Sequence, residues 1–138
     1  MKTLYTAHAT ATGDGRNGHV KTDDGLIDAE LKMPKGLGGP GGATNPEQLF
    51  AAGFAACFHS ALKLVARQQG IDVSDTVIGA HVSIGQDDSG FGLAVTLDVT
   101  IPNATAEVAR EAAHAAHQVC PYSKATRGNI EVTLNVTE

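Results

Sequence analysis

The sequence lacks the features that mark several large classes of protein. No block of basic residues occurs in the 138-residue chain, and 10 Lys and Arg against 15 Asp and Glu give a formal charge of -5. Nucleic acid and anionic membranes are therefore poor partners for it. The longest uninterrupted apolar stretch, residues 49–58, is far shorter than the roughly 20 residues of a membrane-spanning helix. We interpret it as part of a buried helix and expect no membrane association.

The sequence also lacks a recognisable targeting signal and has few cysteines. The N-terminal residues lack the long apolar core of a secretory signal, so we expect a cytoplasmic protein. Only two cysteines are present, Cys57 and Cys120. Because thiols are kept reduced in the cytosol, these two are not expected to form a structural disulfide. They are either inert core residues or redox-active groups.

What is present predicts a single α+β domain over residues 1–138. The chain opens with an antiparallel meander whose turns are marked by glycine and aspartate. A loop rich in glycine and proline, residues 33–43, separates the meander from a long helix. The predicted strands are 3–12, 17–22, 27–32, 76–86, 91–101 and 130–136, and the predicted helices are 46–69 and 105–119.

The start of the first helix is clearly marked. Asn45 can cap it, Pro46 suits its first position, and Gln48 can close a capping box. From there the helix is apolar on nearly every side until Lys63, so every side must be covered. Because one small sheet covers one side only, we predict a homodimer in which this helix packs against its mate or against the partner's sheet.

Two motifs point to other classes of protein. Residues 36–41 fit the pattern G-x-G-x-x-G, but no βαβ unit surrounds them and no acidic residue follows at the required distance. A tightly turning loop is the better interpretation. Cys57, Cys120, His59 and His117 contain the elements of a zinc site. However, Cys57 and His59 lie two residues apart on a helix and point in different directions, which argues against zinc.

The redox interpretation depends on where the two cysteines lie. Cys57 falls within the apolar helix, where on its own it would be an inert core residue. Cys120 falls at the end of the second helix, before Pro121, where we expect a mobile and exposed thiol. The combination suggests an attacking and a resolving thiol, because a sulfenic acid on the first needs a second thiol to condense with.

An attacking Cys57 would need a cation close by, since an ordinary thiol with a pKa near 8.5 is only a few per cent thiolate at pH 7. By spacing alone, each candidate is better explained as a solvated surface charge. The same holds for Glu47, whose carboxylate stabilises the helix dipole without any catalytic purpose. The candidate cations are Arg16, Arg67, Arg110 and Arg127.

Two long motifs carry a resemblance to a known family. They are TNPEQLFAAGFAACF at residues 44–58 and VCPYSKATRGN at residues 119–129. Both resemble the organic hydroperoxide resistance (Ohr) protein family, the thiol peroxidase branch of the larger OsmC/Ohr superfamily. The likeness extends from RNGHV at residues 16–20 to GNIEV at residues 128–132. It implies an OsmC-like fold, an intertwined α+β homodimer with antiparallel sheets and two long central helices.

The resemblance also implies roles for individual residues. Cys57 matches the peroxidatic cysteine and Cys120 the resolving cysteine. Arg16 matches the arginine that activates the thiolate, and Glu47 the carboxylate that orients this arginine. A planar, permanently charged guanidinium suits this task because a carboxylate can hold it through two hydrogen bonds.

Substrate and reductant are implied in the same way. The family reduces organic hydroperoxides, of alkyl or fatty-acid type, without a bound cofactor or metal, and draws electrons from dihydrolipoamide or a lipoylated protein. The apolar neighbourhood of Phe50, Phe54 and Phe58 suits such a substrate better than hydrogen peroxide. A thiol-based redox sensor or chaperone, and a metal-binding domain, are the alternatives from other classes.

The spacing of two of these residues leads to a further hypothesis. Glu47 and Cys57 lie ten residues apart on one predicted helix, which separates them by about 15 Å of axial rise. One chain cannot easily bring them together through Arg16. We therefore hypothesise that each active site takes Cys57 and Cys120 from one subunit, and Arg16 and Glu47 from the other.

Overall fold

The structure, a computed structural model, describes residues 1–137. The chain divides into two compact units, residues 1–49 and residues 50–138. Each unit contains its own three-stranded sheet. A single domain over residues 1–138 therefore stays a prediction.

The first unit is built on the predicted meander. Strands β1 (Ala9–Thr12), β2 (His19–Thr22) and β3 (Asp28–Glu30) form an antiparallel sheet in that order, which confirms the prediction. Strand β1 is shorter than the predicted residues 3–12 because β2 offers it only four ladder partners, from Ala9 opposite Thr22 to Thr12 opposite His19. Residues 1–8 are exposed.

The glycine-rich loop connects this sheet to the first helix. It is irregular as predicted, apart from one 3-10 turn at Lys35–Leu37. Gly39 is required by close packing, since a Cβ at this position would lie 2.2 Å from the carbonyl oxygen of Met33. The strands before the loop form an antiparallel meander, so the G-x-G-x-x-G pattern does not lie in a βαβ unit.

Helix α1 (Pro46–Gln68) begins and ends close to the predicted residues. Asn45 Oδ1 accepts a hydrogen bond from the backbone N–H of Gln48 at 2.9 Å, which confirms the predicted cap. The Gln48 side chain does not complete the capping box, because its Oε1 accepts a hydrogen bond from Thr44 Oγ1 at 2.8 Å. Gly70 follows the helix with a φ of 73°, the left-handed conformation that commonly ends helices.

The second unit contains one sheet and the remaining helices. Its elements after α1 are β4 (Val77–Asp87), β5 (Gly90–Thr100), α2 (Ala106–Val119), α3 (Pro121–Thr126) and β6 (Val132–Val136). Strands β4 and β5 form the predicted antiparallel hairpin. The prediction of antiparallel sheets is wrong for one pair of strands in this sheet, because β6 pairs with β5 in parallel. The two helices between them form the crossover that a parallel pair requires.

Helix α3 was not predicted. Pro121 was expected only to end α2, but it also occupies the first position of the next helix. Cys120 is both the C-terminal cap of α2 and the N-terminal cap of α3. Proline suits the first position of a helix, because the backbone N–H that it lacks would have no partner within the helix at that position.

The core of the second unit lies between its sheet and its helices. Alternate residues of β5, Val95, Leu97 and Val99, are buried in one hydrophobic cluster. Helix α2 contributes its alanine face to the same cluster. The core residues of α1 are Phe54, Phe58, Ala61, Leu62, Val65 and Ala66.

Helix α1 is more apolar than its longest uninterrupted stretch indicated. By length and composition alone it could cross a membrane, since an 18-residue window has a mean hydropathy of 1.6. A core helix of a soluble protein meets the same criterion. Only 33% of that window is buried within the chain, because its core residues occupy one stripe. The opposite stripe, with Ala52 and Ala56, is exposed.

Candidate active site: a cysteine pair and an arginine–glutamate pair

The structure brings the two cysteines together. Cys57 lies on α1, Cys120 lies at the junction of α2 and α3, and both are free thiols. The Cys120 thiol donates to Cys57 Sγ, with 3.5 Å between the sulfur atoms. A disulfide requires a sulfur–sulfur distance of about 2.05 Å, so an approach of about 1.5 Å would join them.

The burial of the two thiols is the reverse of the expectation. Cys120 is fully buried rather than mobile and exposed, because the junction of the two helices closes over it. Cys57 is only partly buried. Cys57 is therefore the thiol that a solute can reach, and Cys120 is protected behind it.

A groove of about 630 Å³ opens beside Cys57. Its apolar wall includes Ala61, Leu64, Val119 and Pro121. The polar residues along it are Ser60, Lys63 and Arg67. Within the second unit, Cys57 thus faces a cleft that is apolar next to the sulfur and positively charged along α1.

Helix α3 supplies hydrogen bonds to both sulfur atoms. The backbone N–H of Tyr122 donates to Cys57 Sγ, and the backbone N–H of Ser123 donates to Cys120 Sγ at 3.5 Å. These donors were not predicted from the sequence because helix α3 was not predicted. The signal was available in Pro121, which marks a helix start as readily as a helix end.

The second unit alone does not activate Cys57. Burial raises the pKa of the Cys57 thiol above its ordinary value, and the hydrogen bond from the Tyr122 backbone opposes this shift only in part. The neighbouring Cys120 thiol raises the pKa further. An attacking Cys57 therefore still requires a cation close to its sulfur, as the sequence indicated.

Arg16 and Glu47 form a separate pair within the first unit. Arg16 Nη1 donates to Glu47 Oε2 and Arg16 Nη2 donates to Glu47 Oε1, both at 2.7 Å. This two-pronged contact fixes the plane of the guanidinium. Asn17, the next residue, holds the same turn in place through a hydrogen bond from the backbone N–H of Met33 to its Oδ1 at 3.0 Å.

The burial of this pair is unequal. The Glu47 side chain is 11% exposed, whereas the Arg16 side chain is 33% exposed. The hydrogen bonds from Arg16 hold the pKa of the Glu47 carboxyl below its ordinary value. The carboxylate is therefore charged at neutral pH, and the guanidinium keeps an accessible surface on which it can meet a further anion.

The two histidines of the zinc-site alternative contact hydroxyl groups instead of the cysteines. His59 Nε2 lies 2.9 Å from Thr76 Oγ1, and His117 Nδ1 lies 2.8 Å from the buried Ser123 Oγ. Burial lowers the pKa of both imidazoles. Across residues 1–137, no three or more His, Cys, Asp or Glu side chains are grouped to hold a metal ion.

The other residues considered for substrate contact or for activation of Cys57 lie in different surroundings. Phe54 and Phe58 are fully buried in the core and do not line the groove, so its apolar wall comes from other residues. Arg127 Nη1 donates to the backbone carbonyl of His117 at 2.8 Å and has a structural role. Arg67 lies in the groove beside Cys57.

Comparison with known sequences shows strong similarity over the full length. The profile of the family described as OsmC-like protein matches residues 39–135. An organic hydroperoxide resistance protein of Xanthomonas axonopodis pv. citri is 53% identical over 137 residues, covering 98% of this chain and 96% of the relative. OhrB of Bacillus subtilis is 49% identical, covering 96% of this chain and 98% of the relative.

Solved structures agree with this result. An organic hydroperoxide resistance protein from Elizabethkingia anophelis superposes with a TM-score of 0.93 at 56% identity, covering 100% of this chain and 99% of that chain. The corresponding protein from Legionella pneumophila gives a TM-score of 0.93 at 51% identity, covering 99% of this chain and 100% of that chain. The α+β, OsmC-like fold predicted from the sequence is confirmed.

Proposed function

Because this chain belongs to the OsmC-like protein family and is similar over its whole length to organic hydroperoxide resistance proteins, we propose that it is a cysteine-based peroxidase that reduces organic hydroperoxides to alcohols. One observation carries the proposal. An accessible thiol and a buried thiol lie 3.5 Å apart, and the accessible one opens onto a largely apolar groove. A structural cysteine needs neither the groove nor the second sulfur.

The reaction has two steps on the protein. The Cys57 thiolate attacks the terminal oxygen of the hydroperoxide, the O–O bond breaks, and Cys57 becomes a sulfenic acid. The alkoxide that departs takes up a proton and leaves as the alcohol. The Cys120 thiol then attacks the sulfenic sulfur, water leaves, and a Cys57–Cys120 disulfide forms. The 3.5 Å separation suits this second step because little movement closes the bond.

Arg16 and Glu47 complete the proposed site. Arg16 would lower the pKa of the Cys57 thiol and stabilise the negative charge on the departing oxygen. Glu47 is a positioning residue that holds the guanidinium plane through two hydrogen bonds of 2.7 Å. The raised pKa of the Cys57 thiol supports the need for such a cation.

We propose that the protein works as a homodimer with shared active sites, in which Arg16 and Glu47 of one subunit serve Cys57 and Cys120 of the other. The exposed stripe of α1 supports a dimer, because α1 is an apolar helix whose Ala52 and Ala56 are exposed in the single chain. A partner helix would cover them. Small side chains let a second helix approach closely. Light scattering that returned a stable monomer would contradict this.

The cycle needs an external dithiol. Reduction of the Cys57–Cys120 disulfide takes two electrons, and a dithiol supplies both by forming its own disulfide. We propose dihydrolipoamide or a lipoylated protein as the reductant, acting in the cytoplasm. Turnover of one organic hydroperoxide with dihydrolipoamide, compared with glutathione at equal thiol concentration, tests this choice, and equal rates would contradict it.

A single-turnover experiment tests the peroxidase itself. Fully reduced protein is mixed with cumene hydroperoxide or with hydrogen peroxide, and peroxide, free thiols and the disulfide are followed by rapid quenching and mass spectrometry. We expect faster consumption of the organic peroxide and a Cys57–Cys120 disulfide in equal amount. If neither thiol reacts, the proposed function is wrong.

A further inference from the structure

Two cations in the groove beside Cys57 have no partner within residues 1–137. Lys63 and Arg67 both line it, and neither side chain forms an ion pair or hydrogen bond with any described residue. Lys63 is half-buried and Arg67 is exposed. The positive field of Lys63 is felt locally, since together with burial it lowers the pKa of His59.

The placement of these cations is unfavourable for the helix alone. Lys63 and Arg67 lie four residues apart on α1, where like charges face each other and repel. A carboxylate between them would remove this repulsion and would form charge-assisted hydrogen bonds to both. A guanidinium and an ammonium are the groups that proteins commonly use for this purpose.

The distance along the helix sets the size of such a ligand. Lys63 and Arg67 lie about 9 Å and about 15 Å of axial rise beyond Cys57. Along α1 the groove is lined by Ser60 and Ala61 between Cys57 and Lys63, and by Leu64 between Lys63 and Arg67. The groove therefore offers a nucleophile at Cys57, apolar contacts at Ala61 and Leu64, and two positive charges farther along the helix.

We propose that Lys63 and Arg67 form a carboxylate subsite that selects acyl-chain hydroperoxides with a free acid group far from the peroxide. The chain would lie along Ala61 and Leu64, with its peroxide at Cys57 and its carboxylate at the two cations. This subsite rests on the proposed peroxidase function, for which it sets substrate preference. Lys63 and Arg67 are specificity-determining residues and take no part in breaking the O–O bond.

The test compares an unsaturated long-chain fatty-acid hydroperoxide with its methyl ester in single turnover without reductant. The quantity measured is the ratio of the second-order rate constants, acid over ester. In the double variant K63Q/R67Q we expect this ratio to fall about three- to tenfold, as for partly exposed charge pairs. In the wild type, added salt should lower the ratio as well, because it screens the cations.

A matched control removes a cation elsewhere. Lys124 is exposed on α3 and does not line the groove, so K124Q should keep the wild-type ratio. A ratio that is the same in K63Q/R67Q as in the wild type overturns the proposed subsite. So does an equal fall in K124Q, because a general change of surface charge then explains the effect.

A binding measurement separates this proposal from the proposed function. Decanoate carries the chain and the carboxylate but no peroxide, so calorimetry with decanoate reports the subsite alone. We expect K63Q/R67Q to bind decanoate about three- to tenfold more weakly than the wild type and K124Q do. If the wild type reduces neither hydroperoxide but shows this difference, the peroxidase function fails and the subsite stands. Equal binding by all three proteins overturns the subsite.

Discussion

At the level of single residues, the two thiols differ in access far more than in position. Their sulfur atoms lie 3.5 Å apart, yet Cys57 opens onto the groove whereas Cys120 is fully buried. A hydroperoxide can therefore reach only one of them. This asymmetry supports the proposed roles, attack by Cys57 and resolution by Cys120, without any difference in their intrinsic chemistry.

The variant C120S separates the two steps. We expect it to consume one hydroperoxide per chain in the first turnover, after which Cys57 stays a sulfenic acid and a second peroxide oxidises it further. Repeated turnover should fall by about tenfold or more, because the resolving thiol is no longer held in place. Intact-protein mass spectrometry measures the added oxygen. C57S, the matched control, should consume no peroxide, and a C120S enzyme with wild-type turnover would contradict the assignment.

Arg16 is expected to control the pH dependence. Burial raises the pKa of the Cys57 thiol, and only the thiolate attacks, so without the guanidinium the reactive form appears at higher pH. R16A should therefore shift the rising limb of the rate–pH profile upward by about one unit or more and lower the rate at pH 7 by about tenfold. Its rate should recover as the pH is raised. R16K, which keeps the charge but cannot form the two-pronged contact with Glu47, should lie between the two.

The profile distinguishes this role from a structural one. A variant that is only unstable loses activity at every pH, whereas loss of thiolate stabilisation is reversed by base. Circular dichroism at each pH checks that the fold is retained. A rising limb at the same pH in R16A and the wild type would remove Arg16 from the activation of Cys57.

At the level of elements, the sequence predicted correctly those features that depend on residues only a few positions apart. Asn45 and Pro46 mark the start of α1, and Gly70 marks its end, within a residue or two of the structure. The same holds for the β4–β5 hairpin, whose turn residues and alternating pattern are local. The resemblance then singled out Arg16 among the candidate cations, a choice that spacing alone left open.

Features that depend on contacts between distant parts of the chain were not predicted correctly. The parallel pairing of β6 with β5 depends on how α2 and α3 return the chain, which no local pattern specifies. The burial of Cys120 was predicted wrongly for a related reason. A helix end is usually exposed, but here a second helix begins at once and closes over the sulfur.

The exposed stripe of α1 leads to a prediction about assembly. Ala56 is exposed in the single chain, on the side of the helix opposite its core residues. In a dimer that buries this stripe, A56E would place an unpaired carboxylate in an apolar contact, which costs several kcal/mol. We expect A56E to be monomeric or much weaker in association by light scattering. A125E changes an exposed alanine of α3 and should leave the dimer intact, and equal behaviour of both variants would contradict a contact at Ala56.

At the level of the whole molecule, the first unit has little core of its own. Leu31 is its one buried hydrophobic residue among those described, and strand β1 is exposed along its length. Three strands with so little apolar cover are marginally stable alone. This supports the proposed assembly, in which a second chain would cover the sheet and the Arg16–Glu47 pair would serve the partner's cysteines.

Mixing two variants that are each strongly impaired at pH 7 tests whether the sites are shared. In a heterodimer of C57S and R16A, one shared site would combine both defects, and the other would combine an intact Arg16 with an intact Cys57. Random exchange makes about half of the dimers heterodimers, so about a quarter of wild-type activity at pH 7 should return. C57S mixed with C120S is the matched control, because both cysteines of a site come from one chain and no activity beyond that of C120S alone should return. Recovery in neither mixture, once mass spectrometry has shown that heterodimers form, would place each complete site within one subunit.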